Sequence, residues 1–353
     1  MKHMYKEMKH LSALFLVLLQ LFTFASCVEE EEFENTPRGN FEALWRIMDE
    51  HYCFFDLKQK ELGVDWDDVH ARYSAQVSDK MSNEQLFEFL TKMIGELKDG
   101  HVNLSASFDY GRNWSWKEDY PANFSDSLQR KYLGTDYRIA CGLKYRILEN
   151  NVGYIYCGTF ENTFGAGNLD EILLYLAPCT SLIVDVRNNG GGMITSAQTL
   201  AGRFTNEKVL VGYMQHKTGT AHNSFSDLDA QYIEPAKGIR WQKKVYVLTN
   251  RSTYSAANEF VKYMKTLGAT IIGDKTGGGA GMPFSSELPN GWGVRFSACP
   301  MYDSQHNSTE FGIEPTQKVD ILITDYQKWV DTIIETAFFN KRQKNRVQIV
   351  NIR

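Results

Sequence analysis

No apolar run in this chain of 353 residues reaches the roughly 20 needed to cross a bilayer as a helix. Basic residues form no stripe and the formal net charge is −5, so nucleic acid is not an expected partner. No C-x-x-C pair and no H-E-x-x-H spacing occurs, so nothing requires a metal. Internal repeats are absent, and low complexity is confined to one acidic stretch. What remains is ordinary globular composition, 43% apolar and 23% charged, long enough for a large core or one domain with a helical appendage. Cysteine is scarce. Beyond Cys27 stand Cys53, Cys141, Cys157, Cys179 and Cys299, an odd set, several of them in apolar runs. Buried free thiols are the expectation, ahead of a disulfide framework.

The start of the chain reads as an export signal. Lys2, Lys6 and Lys9 precede an apolar stretch from Leu11 to Phe24, which runs into Ala25-Ser26-Cys27. A charged start, a short apolar core and small residues before a cut site are the features of a secretory signal. The acidic run Glu29 to Glu32, with Glu34, repels itself and reads as a solvated tether. The expected organisation is a signal at 1–26, a tether at 27–39, a helical region at 40–100 and an α/β domain at 101–340.

In the helical region, Phe41, Leu44, Trp45, Ile47, Met48, Tyr52 and Phe55 recur at helical spacing, as do Leu86, Leu90, Met93, Ile94 and Leu97. Ser82, followed by Glu84 and Gln85, predicts an N-cap, and 65–74 predicts a further helix. From Val152 onward, short apolar runs such as Leu182-Ile183-Val184 and Val245 to Leu248 alternate with helix-like segments. That alternation predicts a covered α/β layer. Strands are expected at 291–296 and 319–323, and a closing helix from Tyr326 to Phe339.

Three segments attract chemical interest, and each has a plain structural reading. Ser255 stands where a buried strand gives way to a helix: it is either an ordinary N-cap or a nucleophile whose Oγ faces the first helical amides. Gly190-Gly191-Gly192 follows Asp185-Val186-Arg187-Asn188-Asn189, and is either a turn or a backbone approach to a ligand. His101, in Asp99-Gly100-His101, follows a long helix. It is either a surface residue or a general base, for which its ordinary pKa suits it.

Together the three segments resemble the tail-specific, or C-terminal-processing, peptidase family, whose relatives include the tricorn protease core. The resemblance rests on Asp99-Gly100-His101, Leu182 to Gly192, and Thr249 to Phe260 running into Gly273-Asp274-Lys275-Thr276-Gly277-Gly278-Gly279. It spans roughly residues 95 to 320. One branch of that family uses a Ser-Lys dyad, but the matching turn here reads Gly277-Gly278-Gly279-Ala280 and holds no lysine. Tyr254-Ser255-Ala256 with His101 resembles the tricorn-like Ser-His branch. Asn258 stands where relatives commonly carry a carboxylate. The roughly 50 residues between His101 and Tyr154 are too few for the PDZ domain of the dyad branch. They hold an aromatic segment, Tyr110, Trp114, Trp116, Tyr120 and Phe124, either a groove wall or a packed surface loop.

The resemblance implies a crotonase-like α/β core with a helical N-terminal region. It also implies a serine peptidase with Ser255 as nucleophile and His101 as base, needing no cofactor and acting on a peptide or protein. The oxyanion would be held by Ala256 and by Gly190 or Gly191. Glu310 would orient His101, with Glu314 as competitor, and Lys275 is the first alternative base. Ala25-Ser26-Cys27 resembles a bacterial lipobox. It implies lipidation of Cys27 and an outer-membrane lipoprotein of a Gram-negative envelope, facing the periplasm or the surface, with the membrane met through that anchor only. A non-catalytic ligand- or peptide-binding protein on the same fold is the alternative.

Overall fold

A computed structural model describes residues 33–112 and 117–339. The signal, Cys27, most of the acidic run, Trp114 and Trp116 lie outside the described residues.

The helical region consists of Pro37–His51, Phe55–Leu62, Trp66–Ser74 and Asn83–Gly95. Each start has a local cause. Thr36 caps the first helix by accepting from Gly39 N, with Pro37 at the first turn, so the last residues assigned to the tether are already helical. Asp65 caps the third helix. Ser82 and Gln85 form a reciprocal capping box at the fourth, worth about 1 kcal/mol. The buried faces of these helices share one apolar core with Leu104, Trp292, Val294 and Phe296. The helical region is thus packed on the α/β part, without a core of its own.

Thirteen strands form two sheets among the described residues. In chain order they are β1 Asn103–Ser105, β2 Tyr110–Arg112, β3 Arg138–Ala140, β4 Leu143–Leu148, β5 Val152–Tyr156, β6 Ser181–Asp185 and β7 Val209–Met214, followed by β8 Asp229–Ile233, β9 Lys244–Thr249, β10 Thr270–Gly273, β11 Gly281–Glu287, β12 Gly293–Tyr302 and β13 Gln317–Lys318. The larger sheet runs β13-β10-β9-β6-β5-β4-β3, parallel from β13 to β5 and antiparallel beyond. The smaller sheet, β2-β1-β12-β7-β8 with β11 on β12, is antiparallel.

Every residue of β6 is buried, and its alternation sends Leu182 and Val184 to one face and Ile183 to the other. Burial on both faces is what a parallel central strand requires. The helices Ala166–Leu176, Ile194–Ala201 and Ala256–Thr266 cover one face, and residues 333–338 help cover the other.

Two late elements differ from the sequence expectation. The strand expected at 319–323 is β13 instead, because Asn123 claims the next backbone: Ile321 N donates to Asn123 Oδ1 and Asn123 Nδ2 to Asp320 Oδ1. The closing helix is split into Ile323–Tyr326 and 332–339. Trp329 takes φ 59° between them, and Asp331 Oδ1 restarts the second by accepting from Ile333 N and Ile334 N. All five cysteines within the described residues are free, Cys141 being only partly buried.

Candidate active site

β6 and β9 are parallel neighbours, with Asp185 beside Leu248, so the loops leaving their carboxyl ends lie side by side. Ligands collect at such ends in α/β sheets. The first loop carries the glycines, the second carries Ser255, and side chains stitch the two together. Asn188 N donates to Asn250 Oδ1 while Asn250 Nδ2 donates to Asn188 Oδ1, at 3.0 and 2.8 Å. Tyr254 N donates to Asn189 O, and Thr253 Oγ1 to Val186 O.

Ser255 occupies the N-cap position of the helix Ala256–Thr266 but makes no capping hydrogen bond. Its φ is 56° and its ψ −124°, a conformation L-residues avoid, costing of order 1–3 kcal/mol unless the surroundings impose it. Its Oγ meets a group from another element instead. His101 Nε2 lies 2.9 Å from it.

His101 arrives from the smaller sheet, directly before β1, and is 3% exposed. Burial is the main force holding its imidazole low, at about 4. Asp99 pulls it upward, and the Arg295 and Lys58 charges push it further down. Its Nδ1 is buried with no hydrogen-bond partner among the described residues.

The residue expected to meet that nitrogen is elsewhere. Glu310 Oε1 accepts from the buried ammonium of Lys58 at 2.9 Å, and Oε2 accepts from Ala280 N at 2.9 Å. Burial and the nearby Asp99 carboxylate push Glu310 up to about 7, against the pull of Lys58. Glu310 therefore does not orient the imidazole: its two oxygens hold Lys58 and the backbone after Gly279. Glu314 is no substitute, since it is largely exposed and pairs with Lys275 at 3.1 Å. That ion pair also occupies Lys275, which lines a neighbouring cavity and not the cleft of Ser255.

Asp99 is the residue that residue-by-residue reading missed. Its Oδ1 accepts from His101 N at 2.8 Å, and its Oδ2 accepts from Tyr52 Oη and Ser297 Oγ at 3.0 and 2.8 Å. Burial opposes its charge, but Lys58 and His101 pull its carboxyl below the ordinary range. An Asp two residues before a fixed amide is an Asx turn, so the signal was present in Asp99-Gly100-His101. The glycine of that motif also has a steric cause. A Cβ on Gly100 would lie 2.8 Å from Tyr254 Oη, and one on Gly279 would lie 2.4 Å from Tyr254 Cζ. The Tyr254 ring is thus held between two glycines, next to Ser255.

Of the expected oxyanion donors, Gly191 N is already donated to Asn189 Oδ1 at 2.9 Å. Ala256 N, the first amide of its helix, donates no backbone hydrogen bond among the described residues. Gly191 instead supplies room. At φ 108°, a Cβ there would sit 2.7 Å from Ser255 Cβ and 3.0 Å from Ala256 N. Gly190 and Gly191 line a cleft of about 540 Å³ together with His101, Ser255 and Arg295. Asn258 is buried in structural bonds, donating to Thr309 Oγ1 and accepting from Thr276 Oγ1. Of the aromatic segment, Tyr110 lines the cleft and Tyr120 stacks on Arg251 outside it.

A hydroxyl bonded to a neutral imidazole, beside the first amide of a helix, can attack an acyl carbon and hold the oxyanion that results. Comparison with known proteins agrees with that chemistry. Residues 151–319 match the sequence model of peptidase family S41, and residues 33–95 match the tricorn protease C1 domain. A crystal structure of a protein assigned as a peptidase, from Parabacteroides merdae ATCC 43184, is 52% identical. The match covers 86% of this chain and 96% of that one, with a TM-score of 0.82. The chain belongs to peptidase family S41. As an S41 member it is a serine-type peptidase. Mature CPAF is 12% identical over 90% of this chain and 98% of that one, with a TM-score of 0.65. The photosystem II D1 C-terminal processing protease is 14% identical over 83% and 96%, with a TM-score of 0.51. At these identities the last two share the fold of this S41 peptidase and no more.

Proposed function

We propose that this S41 peptidase cleaves peptide bonds through a covalent acyl-enzyme, with Ser255 as nucleophile and His101 as general base. The observation that carries this reading is the 2.9 Å contact of Ser255 Oγ with His101 Nε2, made by a serine in a forbidden-looking backbone conformation. As Oγ attacks the scissile carbonyl carbon, its proton passes to Nε2. The carbonyl oxygen becomes an oxyanion held by Ala256 N and Gly190 N, the amide of Gly191 being engaged by Asn189. Nε2 then gives the proton to the leaving amine, and water repeats the cycle to free the acid. Asp99 steadies His101 through its backbone amide and supplies negative charge as the imidazolium forms. The fold of this site is read as a crotonase-like core, supported by the parallel run β13-β10-β9-β6-β5 with its loops at one end. A fluorophosphonate tests the chemistry: intact-mass and peptide mapping should find one adduct, on Ser255, and its absence there would refute the assignment.

The chain is further proposed to be an outer-membrane lipoprotein of a Gram-negative envelope, anchored through Cys27. The support is the basic start, the apolar stretch and Ala25-Ser26-Cys27. Cys27→Ala should move the protein from the membrane to the soluble fraction, and unchanged fractionation would count against the anchor.

A further inference from the structure

The wall of the cleft on the His101 side is a built basic surface. Strand register places Arg112 opposite Asn103 on β2 and β1, and Asn103 opposite Arg295 on β1 and β12. Residues directly opposite on adjacent strands project from the same face, so the three form one row. The two arginine Cα atoms are two strand spacings apart, about 10 Å. All three residues line the cleft with Ser255 and His101. Asn103 is pinned in the middle by accepting from Tyr110 Oη at 2.7 Å. Lys117 adds a third cation to the lining, against a single carboxylate among the described residues there, Glu161. Arg295 is exposed, and no ion pair or hydrogen bond of its guanidinium is formed among the described residues.

Resting on the peptidase reading above, we propose that Arg295 and Arg112 form a carboxylate-binding subsite that selects peptides carrying an acidic group beside the scissile bond.

The catalytic cycle itself argues for such a ligand. Nε2 of His101 must become positively charged when it takes the Ser255 proton. Arg295 is one of the charges opposing that, after burial and against the pull of Asp99. An uncompensated arginine there raises the barrier for every substrate. A substrate carboxylate on Arg295 cancels its charge and removes the penalty only for the peptides that carry it. Selection would therefore show in kcat as well as in KM, since the relief is realised as the imidazolium forms. The planar guanidinium fork suits a carboxylate, which it binds by paired hydrogen bonds.

The test uses the full chain in detergent and quenched-fluorescent peptides in matched pairs. Each pair differs by Asp or Glu against Asn or Gln at one position near the cut, and each is made with a free or an amidated C-terminus. The wild type should favour the acidic member by about 10-fold or more in kcat/KM, as charged hydrogen bonds permit. In R295Q/R112Q that ratio should fall close to one. If the preference follows the free C-terminus rather than the side chain, the subsite stands and the terminal carboxylate is its ligand. Equal rates for both members in the wild type, or a preference that survives R295Q/R112Q, would overturn it. Peptides cut without charge preference would sink this proposal alone, whereas a wild type that takes no fluorophosphonate on Ser255 and cuts nothing would sink the peptidase assignment beneath it.

Discussion

His101 Nε2 and Ser255 Oγ lie 2.9 Å apart across 154 positions of sequence. The contact joins two sheets: His101 leads into β1 of the smaller one, and Ser255 follows β9 of the larger. Any loosening between the sheets would separate nucleophile from base before it unfolded either. The helical region bears on this directly, because Tyr52 and Lys58 come from it and reach Asp99 and Glu310 beside the site.

The pH profile should report the buried imidazole. His101 must be neutral to accept the Ser255 proton, and burial holds it at about 4. It is neutral above that value and protonated below it. The acid limb of kcat/KM should therefore have its midpoint near pH 4, with little loss between pH 7 and pH 5. An unperturbed histidine, near 6.5, would already have lost most activity at pH 5. A midpoint of 6 or above would contradict the burial argument.

Asp99→Asn keeps an acceptor for His101 N and removes the charge. We expect kcat to fall by about 10²-fold with KM little changed. The negative charge of Asp99 raises the His101 pKa, so the acid limb should move lower still. A fall in kcat with an unmoved acid limb would reduce Asp99 to a structural residue.

Glu310→Gln separates scaffolding from catalysis. It removes the anion that is ion-paired with the buried Lys58, and breaking such a pair costs about 3 kcal/mol or more. The melting temperature should drop while kcat, measured well below it, stays within about 10-fold of the wild type. A loss as large as that of His101→Ala, at unchanged stability, would restore Glu310 to the catalytic group.

Much of this site was legible in sequence, for reasons that can be stated residue by residue. Chain order, buried apolar runs and the glycine triplet located both loops, and these are local properties of β6 and β9. The helices followed from apolar period and from Ser82 as a cap, whereas the Thr36 and Asp65 caps emerged only with the structure. The partner of Glu310 was not legible, because Lys58 lies 252 positions away and only packing unites them. Asp99 was readable in principle. The same Asx geometry recurs at Asp185, Asn189 and Asn250, each bonding the amide two residues on, so short polar residues brace every loop of the site. The late strand and helix were misplaced because Asn123 and Asp331 redirect the backbone through side-chain bonds, which apolar patterning does not record.

Gly191→Ala tests the geometry of the oxyanion side. Its Cβ would fall 2.7 Å from Ser255 Cβ at a φ of 108°. The variant should lose at least about 10²-fold in kcat, comparable to losing an oxyanion donor. Fluorophosphonate labelling should slow in parallel. Wild-type kinetics from this variant would mean that the glycine loop does not border the reacting carbonyl.

The most direct test of the central claim is a double-mutant cycle on Ser255 and His101, read as kcat/KM on one quenched-fluorescent peptide. Ser255→Ala and His101→Ala should each cost about 10⁴-fold or more, with melting temperatures close to the wild type. The double variant should be little slower than either single one, because groups that act as a unit do not add. Additive losses, or a His101→Ala variant that keeps most of the activity, would show that the 2.9 Å contact is not the catalytic pair.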